Sequence, residues 1–167
     1  MFLVNRYGFK CKKHIKTMDI KEGDVFPNFS LESDSGTKVS LDNLKGSVSV
    51  VYFYPKDDTP GCTKEACSFR DNIDKFNELD IPIYGISVDS PDSHRKFKAK
   101  YNLNFPLLSD YEKILVKKLG IKSLSGVAER ITFVLDKDSK ILKIYPHVSP
   151  DKHSDELLSF LYDLKSK

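Results

Sequence analysis

The chain has 167 residues, 40% of them hydrophobic and 31% charged, a length and balance suited to one globular domain with a substantial core. No apolar run approaches the ~18 residues that would suggest a membrane-spanning helix. Arg6, Lys10, Lys12, Lys13 and Lys16 put +5 of the formal +3 into residues 1–17, so the remainder carries +3 − 5 = −2 and offers no electrostatic footprint for nucleic acid.

The basic, acid-free head is expected to be an extension preceding a single domain over 18–167. Its composition suits an unstructured tail, a start-site artefact ahead of Met18, or an organellar transit segment. Cys11, Cys62 and Cys67 are too few for a disulfide framework. They point to thiols in a reducing compartment, the cytoplasm or, if the head is a transit segment, an organelle.

After the head, Phe26, Phe29, Leu31, Val39 and Leu41 frame Ser33-Asp34-Ser35-Gly36, which reads as a hairpin turn. Asp42 to Gly46 reads as a short polar connection. The β-branched and aromatic run through Ser49-Val50-Val51-Tyr52-Phe53 reads as a buried strand. From about Cys62 to Leu79 the spacing predicts a helix with Ala66, Phe69, Ile73 and Phe76 on one face. Cys62 continues that buried stripe, whereas Cys67 falls on the polar flank with Thr63, Arg70 and Asp74 and should point away from it.

Ile81 to Val88 reads as a second buried strand. Ser90 and Pro91 supply an N-cap and first turn for a helix reaching Tyr101. Asn104 to Leu108 is extended, and Ser109 or Asp110 caps a helix ending at Gly120. Ile121 to Ala128 reads as a loop. Ile131–Leu135 and Ile141–Tyr145 form a hairpin, and a last helix near Ser154 to Leu164 buries Leu157, Leu161 and Leu164. Early alternation of strand and helix followed by a late hairpin predicts an α/β fold, a mixed sheet with helices on both faces.

Cys62 therefore sits where a strand gives way to a helix. Unpaired N–H groups and the positive end of the helix dipole favour a thiolate there. Pro55 and Pro60 restrict the loop, and Gly61 permits close backbone approach. The spacing of Pro55, Thr59 and Cys62, within the longer run Phe53-Tyr54-Pro55-Lys56-Asp57-Asp58-Thr59-Pro60-Gly61-Cys62-Thr63 and with a second cysteine at Cys67, resembles the bacterioferritin-comigratory or Q-type branch of the peroxiredoxins. The resemblance covers roughly Asp19 to the C-terminus.

It implies a thioredoxin-like fold and a thiol peroxidase without metal, haem or flavin. Cys62 would be the peroxidatic thiol, oxidised by hydrogen peroxide or an organic hydroperoxide to a sulfenic acid. Cys67 would be the resolving thiol and close an intramolecular disulfide, recycled by thioredoxin or a similar dithiol. Thr59 would hydrogen-bond to the sulfur or the peroxide, Pro55 would shield the sulfur, and Arg130, in the family's distant arginine position, would favour the thiolate and hold the peroxide oxygens. Two helical residues five apart have Cα atoms roughly 8–9 Å apart, whereas a disulfide needs less than about 7 Å, so the helix must unwind for Cys67 to reach Cys62. A locally placed resolving thiol favours a monomer, although the branch contains dimers as well.

The histidines His14, His94, His147 and His153 are expected to be solvated or locally capping. Cys-x₄-Cys without a second pair is poor zinc spacing, and no phosphate loop or nucleotide fingerprint is present. The absence of Cys-x-x-C weighs against a general disulfide oxidoreductase. A thiol-based redox sensor or holdase with little turnover is the alternative from another class.

Overall fold

The computed structural model describes residues 18–167. The basic head, with Cys11 and His14, lies outside the described residues. Strands β1 (Ser30–Ser33) and β2 (Lys38–Ser40) form the predicted hairpin, with Leu31 opposite Val39. The stretch expected to be a polar connection is instead a one-turn helix, α1 (Leu41–Leu44). Leu41 and Leu44 are both buried, and the Asn43 side-chain oxygen accepts from the Ser40 backbone N–H at 2.8 Å. Two leucines three apart, closed by a reciprocal cap, outweigh the polar average of that segment.

There follow β3 (Ser49–Phe53), α2 (Pro60–Glu78), β4 (Ile83–Ser87), α3 (Pro91–Tyr101), β5 (Leu107–Ser109), α4 (Ile114–Leu119), β6 (Ile131–Leu135), β7 (Ile141–Tyr145) and α5 (His153–Lys165). The caps explain several boundaries. The Ser90 hydroxyl accepts from Ser93 N–H at the start of α3. Asp110 accepts from Leu115 and Val116 N–H at 3.2 and 2.9 Å, holding the start of α4 from outside it, and Gly120 closes that helix at φ +70°, a conformation glycine adopts without penalty.

The strands form one seven-stranded sheet in the order β2-β1-β5-β4-β3-β6-β7. β3, β4 and β5 run parallel, and the flanking pairs are antiparallel. Side chains alternate between two cores, as strand geometry requires. Val50, Tyr52 and Tyr54 join Phe69 and Phe76 of α2, Phe97 of α3 and Leu157, Leu158 and Leu161 of α5 on one face. Val51 and Phe53 join Leu41 and Leu44 of α1 and Leu115, Val116 and Leu119 of α4 on the other. Leu164 is only half-buried. The result is the mixed sheet with helices on both faces that the order of elements predicts. Among the described residues no helix is long and apolar enough to cross a membrane.

β3 is central, buried along its whole length, and its C-terminal end delivers the loop that carries the candidate site. Its antiparallel partner β6 pairs Ile131 with Phe53. The residue just before Ile131 is therefore brought to the edge of the sheet from which that loop leaves.

Candidate active site

Helix α2 starts two residues earlier than its periodicity predicts, at Pro60, because proline suits the first helical position. Cys62 is thus its third residue, 2% exposed and packed in the core, and Cys67 is half-buried on the same unbroken helix. Both are free thiols. Thr59 occupies the N-cap position but makes no capping bond with its side chain. Its hydroxyl donates to the Lys56 carbonyl at 2.8 Å, not to Cys62. Pro55 is half-buried at the start of the same loop.

Arg130 approaches from β6. Its Nη2 donates to Cys62 Sγ at 3.2 Å and its Nη1 to Glu65 Oε1 at 3.3 Å. One face of the guanidinium thus meets the sulfur while another is tethered to a carboxyl one helical turn further on. Gly61 makes room for this: a Cβ there would lie 3.1 Å from Arg130 Nη2, tight enough to press the guanidinium back by a few tenths of an ångström. The structure brings Cys62 and Arg130 together, places Thr59 and Pro55 on the adjoining loop, and turns Cys67 to the polar flank.

Sequence reasoning missed Glu65. It is 1% exposed, and its Oε2 and the Tyr52 hydroxyl are buried without a hydrogen-bond partner. Burial pushes the Glu65 carboxyl up to about 7 against the downward pull of Arg130. Burial, with the charges of Glu65 and Cys62, raises Tyr52 well above the ordinary phenol range and keeps it neutral. The available signal was position: Glu65 stands three residues after Cys62, so it lies on the same side of the helix.

Two histidine expectations are corrected. His94 and His153 are completely buried instead of solvated. His94 lies against Asp57 and Tyr54, and His153 Nε2 lies 2.7 Å from the Thr132 hydroxyl. An imidazole is apolar enough in its ring to fill a core; both His94 nitrogens meet partners remote in sequence, whereas His153 does so through Nε2 alone and its buried Nδ1 has no hydrogen bond.

Burial lowers His153 from 6.5 to about 4. The unfolded chain then binds the extra proton between those values, so stability is complete above pH 6.5 and is lost as pH falls towards 4, on the order of 3 kcal/mol. Glu65 acts with the opposite sign: its raised value stabilises the fold below about pH 4.5 and loses that contribution as pH rises through about 7. The two slopes nearly cancel in the wild type. In urea melts from pH 4.5 to 7, His153→Gln is expected to become relatively more stable in acid and Glu65→Gln relatively less. Parallel pH profiles for the two variants would contradict the assignment.

The fold and site define a class: a thioredoxin-like protein with a buried cysteine at a helix start, met by an arginine from the neighbouring strand. The AhpC/TSA family model matches residues 23–144. Peroxiredoxin Bcp of Bacillus subtilis is 42% identical over 158 residues, which span 90% of this chain and 100% of that protein. Among solved structures, peroxidoxin BcpB of Mycobacterium tuberculosis superposes with a TM-score of 0.80 at 37% identity, over 86% of this chain and 97% of that one. The Xanthomonas campestris bacterioferritin comigratory protein, described for its alkyl peroxide reduction activity, does so at 0.78 and 30% identity, over 88% and 98%. The chain belongs to the AhpC/TSA family and, within it, to the Bcp/Q-type peroxiredoxins, which are thiol peroxidases.

Proposed function

We propose that the protein reduces hydrogen peroxide and organic hydroperoxides through Cys62, resolves the product with Cys67, and is recycled by thioredoxin or a similar dithiol. The observation that carries this reading is the Arg130 guanidinium, 3.2 Å from the Cys62 sulfur and braced on Glu65. A fixed cation and a helix N-terminus together aim positive potential at the sulfur that reacts. In the first step the Cys62 thiolate attacks one oxygen of the peroxide and the O–O bond breaks. The sulfur becomes a sulfenic acid that keeps the hydroxyl of the attacked oxygen, and the other oxygen leaves as hydroxide or alkoxide and takes a proton from solvent to become water or an alcohol.

Arg130 stabilises the charge that builds on the departing oxygen, in a site where preformed donors need no reorganisation. The Thr59 hydroxyl proton is committed to Lys56, so Thr59 serves through its lone pairs, accepting the hydrogen of the incoming hydroperoxide. Pro55 screens the sulfur from water. The Cys67 thiol then attacks the Cys62 sulfur, a disulfide forms, and the sulfenic oxygen leaves as water. Because both cysteines sit on one continuous helix, the first turns of α2 must open for this step. An external dithiol returns both thiols and is itself oxidised to a disulfide. The resolving thiol is supplied locally, so the cycle runs in a monomer, and the reduced thiols suit the cytoplasm.

Mass spectrometry after one equivalent of peroxide tests the sequence of steps. The wild type is expected to lose two hydrogens and link Cys62 to Cys67, whereas Cys67→Ser is expected to gain one oxygen on Cys62. Oxygen gain in both proteins, with no internal link, would rule out Cys67 as the resolving thiol.

A further inference from the structure

The loop that delivers Cys62 is fastened to α3 by a buried polar cluster that the chemistry above does not use. Asp57 is its hub. Its Oδ1 accepts from the Tyr54 hydroxyl at 2.6 Å, and its Oδ2 accepts from the Ser93 hydroxyl at 2.8 Å. The same Oδ2 lies 2.7 Å from His94 Nδ1, and the Asp57 backbone N–H donates to Asp89 at 2.9 Å. His94 Nε2 lies 3.0 Å from the Leu108 carbonyl oxygen. A carbonyl can only accept, so Nε2 bears the hydrogen of that bond.

The next residue, Asp58, stands at φ +57° and meets Lys100 and Tyr101 at the far end of α3, at 2.8 and 2.7 Å. The loop is thus pinned along the length of one helix immediately before Thr59 and the start of α2. Asp58 and Lys100 are exposed, and their ion pair loses strength to solvent screening. The Asp57–His94 contact is dry, so separating it would strand two buried polar groups.

We propose that Asp57 and His94 are positioning residues whose buried contact sets how readily the first turns of α2 open, and so divides Cys62 between meeting peroxide and meeting Cys67. The inference rests on the peroxidase reading. With the loop held, Thr59, Cys62 and Arg130 keep the arrangement that attacks peroxide. With the loop loosened, the folded arrangement is less populated and the opened one more so. Weakening the cluster therefore slows oxidation of Cys62 and speeds disulfide closure. A contact that served only general stability would not move the two steps in opposite directions.

The test measures both rate constants by stopped flow, together with the fraction of Cys62 driven to sulfinic acid by excess peroxide. Tyr54→Phe and Ser93→Ala each remove one bond to Asp57 and spare the buried pair. Each is expected to slow oxidation and speed closure so that the ratio of the closure to the oxidation rate constant rises about fivefold, the worth of a typical hydrogen bond, with less sulfinic acid formed. His94→Leu is expected to act more strongly, and His94→Asn, which keeps an N–H for Asp57, to recover part of the loss. Rate constants unchanged in the two mild variants, or both falling together, would overturn the proposal while leaving the peroxidase reading intact. Undiminished peroxide consumption by Cys62→Ser would remove that reading and this inference with it.

Discussion

Cys62→Ser is expected to reduce peroxide consumption to the background of the buffer, a fall of roughly 10⁴-fold or more, the scale on which loss of an enzyme's nucleophile acts. A serine hydroxyl is a far weaker acid than a thiol, and oxygen is the poorer nucleophile towards peroxide. The substitution is close to isosteric in a nearly closed position, and the new oxygen still accepts from Arg130, so the fold should persist with an unchanged melting curve. Cys67→Ser provides the contrast. It is expected to consume one equivalent of peroxide at the wild-type rate and then stop with thioredoxin as the reductant. A peroxide electrode with a recycling dithiol, followed by a single-turnover trace, separates the two variants. Sustained consumption by Cys62→Ser would mean that another group carries the chemistry.

What the sequence made legible is local. The run into Phe53, the prolines of the loop and the apolar stripe through Ala66, Phe69 and Phe76 place Cys62 at a helix start from short-range periodicity alone, and the structure agrees. The Ser90-Pro91 start of α3 and the glycine end of α4 are equally local. The rest depends on pairings that periodicity does not encode. Without the family resemblance that points to it, Arg130 reads as a surface charge until β6 is known to run antiparallel beside β3, which carries its side chain to Cys62. Glu65 reads as a solvated acid on a charged helix until that arginine arrives. His94 and Asp57 are 37 positions apart and unremarkable separately. In each case a polar residue is buried because its partner comes from a distant element, and single-sequence patterning sees only the polarity.

The second large effect belongs to Arg130. Arg130→Met is expected to lower the rate constant for Cys62 oxidation by about 10²–10³-fold, the range for losing one preorganised donor to a developing oxyanion. Arg130→Lys is expected to recover only a small part. A lysine offers a single ammonium on a flexible stem, whereas the guanidinium serves Cys62 through Nη2 and Glu65 through Nη1 at once. The fold should survive either change, because Glu65 has a neutral state within reach. Arg130 is the group that pulls its carboxyl down, so without it burial acts unopposed and Glu65 moves further above 7, protonating instead of leaving a bare charge in the core. This separates a catalytic loss from a structural one. Infrared titration of the Glu65 carboxyl should show its midpoint displaced upwards in Arg130→Met while the circular dichroism at neutral pH stays that of the wild type. An oxidation rate within threefold of the wild type, with the carboxyl midpoint displaced as described, would show that the arginine serves Glu65 and not the sulfur.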